Sequence, residues 1–363
     1  MGFAKGAISF TRYGVEGTLP DNASGFIDEG LKKHAFRDVR PGGEKSMGWT
    51  ALENALDTDF SYASYTFGSF VVFSFRMDRK VIAPALLKIR ALTEEKRIAL
   101  EKGTPKLRED EKKNIRERVR LELAKLIPPV PEVYEICWCP EEQWLLFGNL
   151  SQGPREAFEE CFKNSFNLKL TPYLPWDPRH LPSALAEKVS AAAASPGSTG
   201  TTGREFLTWL WFKSEERNGS IRLPGAGDIE LAFLTRLVLE SGKGEYSESV
   251  VCRGLHADLR EGKTALLKEK KITEARLRLQ AGSDRLECTL KADEFLFQSL
   301  RTATAIKEES HEEDREGRLV ERIHFAKTAI HTMDRLVELY LEKRLSPRWE
   351  KEELPRFKAW LVK

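Results

Sequence analysis

Between residues 106 and 129 the chain reads KLREDEKKNIRERVRLELAKLIPP. Its apolar positions Ile115, Val119, Leu123 and Leu126 recur at helical spacing, in a stripe roughly 80° wide at about 100° per residue. The spacing predicts a helix that stops at Pro128-Pro129, which cannot continue the hydrogen-bond ladder. Just upstream, Ala83 to Lys102 predicts a partner helix with Leu86, Ile89, Leu92 and Leu100 facing inward and Lys96 falling within that stripe. Gly103 supplies the stop, Thr104 offers a hydroxyl cap, and Pro105 suits a first helical turn. Residues 82–127 therefore read as a helical hairpin.

Around it the pattern alternates between periods of two and of 3.6. KGAISFTRYGV (5–15) and YTFGSFVVFSFRM (65–77) read as strands, with a short helix over Ala23–His34 between them. After the hairpin, EVYEICWCP and QWLLFGNL predict two short strands. GPREAFEECFKNSF predicts an amphipathic helix burying Phe158, Cys161 and Phe162, and LKLTPYLPW closes the unit. Residues 1–180 are thus an expected α+β domain, 181–203 (with SAAAASPGSTGTTG) a linker, and 204–363 a second α+β domain. REFLTWLWF, with its four aromatics, reads as a buried segment, the alternative being a base-stacking surface. KITEARLRLQAGSDRLECTLKA (271–292) predicts a β-hairpin with Arg276 and Arg278 facing outward. Residues 311–345 predict a long helix through Leu319, Ile323, Ala326, Ile330, Met333 and Leu336. The expected fold class is α+β, with mixed antiparallel sheets and a protruding basic helical hairpin.

Charge sharpens this picture. The 363 residues are 31% charged with a net charge of only +2, yet the window Arg79–Leu126 holds 15 Lys and Arg against 8 Asp and Glu, a balance of +7 that leaves −5 for the remainder. Such a local excess marks a surface for a polyanion. The candidate DNA-binding residues are Lys88, Arg90, Lys96, Arg97, Lys102, Lys106, Arg108, Lys112, Lys113, Arg116, Arg118 and Arg120. On the second helix Lys113, Arg116 and Arg120 flank one side of the apolar stripe, Arg118 and Lys125 flank the other, and Lys112 projects onto the stripe. The plainer reading is a solvated face laced by pairs such as Lys113–Glu117.

Catalytic chemistry is faint. Asp258 with Glu269-Lys270-Lys271 has the look of a magnesium-dependent nuclease triplet, and Asp284, Glu287 and Asp293 flank strands; in so charged a chain both patterns arise by chance. The histidines (34, 180, 256, 311, 324 and 331) do not pair at metal spacing, and no phosphate-binding or dinucleotide fingerprint is present. No cofactor or metal is expected, and nothing demands an enzyme. The five cysteines lack framework spacing, and no apolar run reaches membrane-span or signal-peptide form, which together predict reduced thiols and a cytoplasmic protein.

The motifs MGW at 47–49, then Arg79-Lys80-Val81-Ile82-Ala83-Pro84 opening a lysine-rich hairpin of the form L-K…E-K…K-K-x-I-R-x-x-V, then LIP, two strands and a helix, resemble the RdgC family of recombination-associated DNA-binding proteins, sometimes labelled exonucleases. The ordered likeness spans about 45–175. It implies a horseshoe-shaped subunit that forms a homodimeric ring around double-stranded DNA. It also implies little sequence preference, nucleoid association, and competition with the RecA recombinase for DNA. Where the family usually carries an Arg and an aromatic after LIP, this chain has Pro129-Val130-Pro131. The rival readings are a magnesium-dependent DNA exonuclease and a protein-interaction module whose basic hairpin binds an acidic partner.

Overall fold

The computed structural model describes residues 2–40, 43–61, 64–194, 202–216, 219–223, 227–242, 248–254, 260–282, 284–302 and 315–362. The first half of the chain runs β1 (Ile8–Glu16), α1 (Ala23–Lys33), β2 (Lys45–Thr50), β3 (Thr66–Phe67), β4 (Phe70–Arg79), α2 (Pro84–Glu101) and α3 (Glu109–Leu126), followed by β5 (Val130–Cys139), β6 (Trp144–Phe147), α4 (Gln152–Phe166) and β7 (Lys169–Pro172). The second half runs α5 (Ser183–Ala193), α6 (Thr202–Glu215), β8 (Ser220–Leu223), β9 (Gly227–Glu240), β10 (Ser249–Arg253) and α7 (Arg260–Leu267), followed by β11 (Lys271–Ala281), β12 (Asp284–Lys291), β13 (Leu296–Thr302), α8 (Arg315–Arg344) and α9 (Leu354–Val362). The fold is α+β, built on antiparallel strand pairing.

One strand joins the two halves. The start of β1 pairs with β13 (Ile8↔Leu300, Phe10↔Phe297), whereas its later residues pair with β6 on one edge and β7 on the other. The described strands consequently form a single 13-stranded sheet with the path β10-β9-β11-β12-β13-β1-β6-β5-β4-β2. Side chains alternate across it. Ile8 and Phe10 enter a core shared with α6 and α8, while Tyr13 and Val15 enter a second core under α1 and α4. Arg12, on the first of these faces, bonds Asp334 of α8 at 2.6 Å. Burial raises the Asp334 carboxyl above its ordinary range, a rise that Arg12 opposes.

Several sequence expectations are met: α1, α4, the β5–β6 pair, the β11–β12 hairpin, and the apolar stripe of α8, all six residues of which are buried. REFLTWLWF lies in α6, with Phe206, Leu207, Trp209, Leu210, Trp211 and Phe212 buried, so it is core and not a stacking platform. The segment 181–203, read as a linker, instead holds α5 and the start of α6. Alanine has high helix propensity, and Leu185 gives α5 a buried anchor. Residues 195–201 of that segment, and 311–314 of the predicted last helix, lie outside the described residues. Among the described residues, no helix is long and apolar enough to cross a membrane.

Candidate nucleic-acid interface

The basic hairpin of the sequence is the α2–α3 pair. Ile115, Val119 and Leu123 of α3 are buried, as their spacing predicts, and pack with Leu107 against Leu87, Ile98 and Ala99 of α2. Lys80 Nζ donates to the Ala124 carbonyl at 2.5 Å and fixes the root of α3 beside the end of β4. Leu126, counted in the stripe, is instead 79% exposed, because it sits at the last turn beyond the partner helix.

The first helix is rotated relative to the expected orientation. Ala91 is its buried residue, and Leu87, Ile98 and Ala99 flank it, whereas Leu86, Ile89, Leu92 and Leu100 are 38%, 63%, 46% and 83% exposed. Small Ala91 and Ala99 let the helices approach closely, so the narrower face is the one that packs. Lys96, expected to snorkel out of a buried stripe, lies on the exposed side with these residues.

The turn also differs. Gly103 takes φ +63° and the helix closes in a Schellman arrangement, Thr104 N–H donating to the Ala99 carbonyl (3.0 Å) and Gly103 N–H to that of Leu100 (3.1 Å). Thr104 and Pro105 are therefore part of the connection and do not cap α3, which begins at Glu109. There Arg108 N–H donates to Glu111 Oε2 (2.9 Å), and Glu109, Asp110 and Glu111 in the first turn complement the helix dipole.

The twelve candidate cations divide. Five are engaged by the protein's own carboxylates: Arg97 by Glu94 and Glu101, Lys102 by Glu111, Lys112 by Glu109, Arg118 by Glu94 and Glu122, and Arg120 by Glu44 (2.8 Å) and Glu117 (3.2 Å). The hydrogen bond from Arg97 holds the Glu94 carboxyl below its usual range, and that from Lys102 does the same for Glu111. Arg108 serves the cap of α3. Lys88, Arg90, Lys96, Lys106, Lys113 and Arg116 are exposed and have no ion pair among the described residues. The Arg118–Glu94 bridge marks one edge of the helix pair, with Arg90 and Arg97 on the same side. Helical spacing puts Lys88, Lys113, Arg116 and Arg120 on the other edge, and Lys112, over the stripe by spacing, lies toward them, near Glu95 on the same side of α2. The twelve do not share one surface; the second edge gathers the larger group, three of them without a partner.

The nuclease-like carboxylates are otherwise occupied. Glu269 takes φ +61° in the turn after α7; Lys270 pairs with Glu248 and Lys271 with Glu205. Glu287 is contacted by Arg276, Arg278 and Arg285, and Asp293 is held by Arg204 at 2.6 Å. Among the described residues, no group of three or more His, Cys, Asp or Glu is disposed to hold a metal ion. Asp258, His256, His311 and the side chain of Asp284 lie outside the described residues.

No protein-family model matches the chain, and no curated protein matches it.

What the sequence missed lies on the second half of the sheet. Arg236 of β9, Arg285 and Lys291 of β12 and Arg301 of β13 share a face with Arg276 and Arg278, the two outward residues that alternation identifies on β11. The register that joins them is not local in sequence, so only Arg276 and Arg278 were legible.

Proposed function

We propose that the chain is a sequence-independent double-stranded-DNA-binding protein of the RdgC type that modulates homologous recombination by limiting RecA's access to DNA. The observation that carries the reading is the unpartnered trio Lys88, Lys113 and Arg116 on one edge of two helices whose apolar stripe is packed away. Lys112 and Arg120 beside them are held by exposed carboxylates, and exposed ion pairs are weak enough for a phosphate to displace. Binding of this kind draws on counterion release and carries no base readout. The test is a salt titration with mixed-sequence duplex. If about five cations meet phosphates, log K is expected to fall against log salt with a slope near about −4.5; a flat curve would end the reading.

The exposed row Leu86, Ile89 and Leu92 supports the homodimer that the resemblance implies, since three neighbouring large apolar side chains on one helix face suit a second copy better than a phosphate. Changing Ile89 and Leu92 together to Asp is expected to turn a dimer into a monomer by light scattering, with the helical signal unchanged. A dimer that survives the change places its interface elsewhere.

A further inference from the structure

The continuous sheet is covered unevenly. On the strands of the first half, one face packs under α1 and α4 and the other enters the core shared with α8. On β9, β11, β12 and β13 the inward set (Leu237, Leu239, Ala275, Leu277, Leu279, Cys288, Leu290 and Phe297) fills the core with α6 and α8. The opposite face carries charge in place of an apolar layer. Near its middle stands one carboxylate, Glu287. Arg278 Nε reaches it at 2.8 Å, Arg285 Nη2 at 3.1 Å and Arg276 Nη2 at 3.4 Å. Arg301 is its register partner on β13, is exposed, and has no ion pair among the described residues. Three guanidiniums thus meet a single carboxylate, with a fourth at the adjacent register position. Burial pushes the Glu287 carboxyl up, but the bonds from Arg278 and Arg285 outweigh it and leave the group ionised below its usual range.

The rest of the face is closer to balance. Arg236 pairs with Glu274 at 2.7 Å, and Lys291 stands with Glu240, Asp293 and Glu294 around a cleft of about 360 Å³. Glu230 lies toward the β8 side. The positive excess is therefore specific to the Glu287 neighbourhood and spans three strands.

We propose that this arginine row on β11, β12 and β13 is a second contact for a nucleic-acid phosphodiester backbone, separate from the α2–α3 edge; the proposal rests on the reading of the chain as a DNA-binding protein. All four cations are arginines, whose planar forks take two oxygens of a phosphate at once. Arg276 and Arg278 are two residues apart on one strand, about 7 Å, and the neighbouring strands lie about 5 Å away, so the donors form an extended lattice suited to a chain of phosphates. Glu287 holds the guanidiniums in place and also masks part of their charge. In the strand order β1 and β6 separate the row from the β4–β5 ends that carry the helix pair. A duplex touching both surfaces is gripped from two regions of one subunit.

The carboxylate makes the test decisive, because removing it acts in the opposite direction from loss of fold. Glu287→Gln is expected to tighten binding of a mixed-sequence duplex at least roughly threefold, since one negative charge leaves the row. Arg276→Gln with Arg278→Gln is expected to weaken it roughly tenfold and lower the salt slope by about 2. Fluorescence anisotropy reads the affinity and a thermal melt checks folding. If the double variant does not fold, Glu287→Gln alone decides: unchanged or weaker binding overturns the site. If the arginine variant folds and binds like the parent while the parent remains salt-sensitive, the sheet site is wrong and the helix-edge reading stands. A parent whose affinity ignores salt removes both. Displacement of the duplex by polyglutamate at equal charge concentration, as efficient as by unlabelled DNA, overturns the nucleic-acid assignment in favour of an acidic protein.

Discussion

Reversing Lys88, Lys113 and Arg116 together to Glu is expected to lower duplex affinity by on the order of a hundredfold or more at moderate salt, and to reduce the salt slope by about 3. These three are selected by the structure and not by charge alone. Arg120 sits on the same edge, but Glu44 and Glu117 already hold it, so its reversal disturbs an internal network as well as a surface. Arg97 and Arg118 share Glu94 on the other edge, and changing them tests the stability of the helix pair. Lys88, Lys113 and Arg116 have no such obligations, and the stripe beneath them, Ile115, Val119 and Leu123, is untouched. The thermal midpoint should therefore stay where it was. Reversal of Arg90 alone, exposed and without an ion pair among the described residues on the Glu94 edge, is the control: a loss there equal to that from reversing Lys113 alone means that charge anywhere on the helices suffices, and that no single edge faces DNA. Unaltered affinity in the triple variant removes the helices from the interface altogether.

The sequence announced the helix pair well and its orientation poorly, for a definable reason. On α3 every large apolar residue except the half-exposed Leu121 lies on one side, so periodicity has one solution. On α2 they lie on two: Leu86 and Leu87 are adjacent, and Ile89, Leu92 and Leu100 compete with Ala91, Ile98 and Ala99. Counting bulk favours the first set, whereas close approach of two helices favours the alanines. Thr104 and Pro105 misled in a similar way, since both are good starting residues, but the bond from the Arg108 N–H to the Glu111 carboxylate and three acids in the first turn begin α3 later. The second half was harder still. β9 is interrupted by register shifts against β11, which break the alternation a strand would show, and β13 carries Ser299 at φ +54° with a shift in its pairing to β12. The arginine row emerges only when three strands are set in register.

Phe10→Ala is expected to destabilise both halves of the chain as a unit, at a cost of about 3–5 kcal/mol. Phe10 is fully buried, its ring 5.0 Å from that of Phe297 on β13 and 6.4 Å from that of Phe3, at the point where β1 passes from one set of strands to the other. A domain division near residue 180 suggests that each half would melt on its own. The strand pairing argues otherwise, because β1 lies between β13 and β6, and α8 packs with residues of both halves, including Phe70, Val72 and Leu146. At about 2.1 cal/mol/K per residue over 363 residues, the lost energy corresponds to a fall of about 4–7 °C in the melting midpoint. Native-state hydrogen exchange discriminates the two descriptions. If the sheet is one cooperative body, amides of β4 and of β11, which lie on opposite sides of β1, lose the same free energy of protection. Loss confined to β11 means that the halves unfold independently and that β1 belongs energetically to only one of them. A grip applied at both the α2–α3 edge and the arginine row needs the cooperative outcome, since two surfaces hold one duplex rigidly only when the sheet between them does not open.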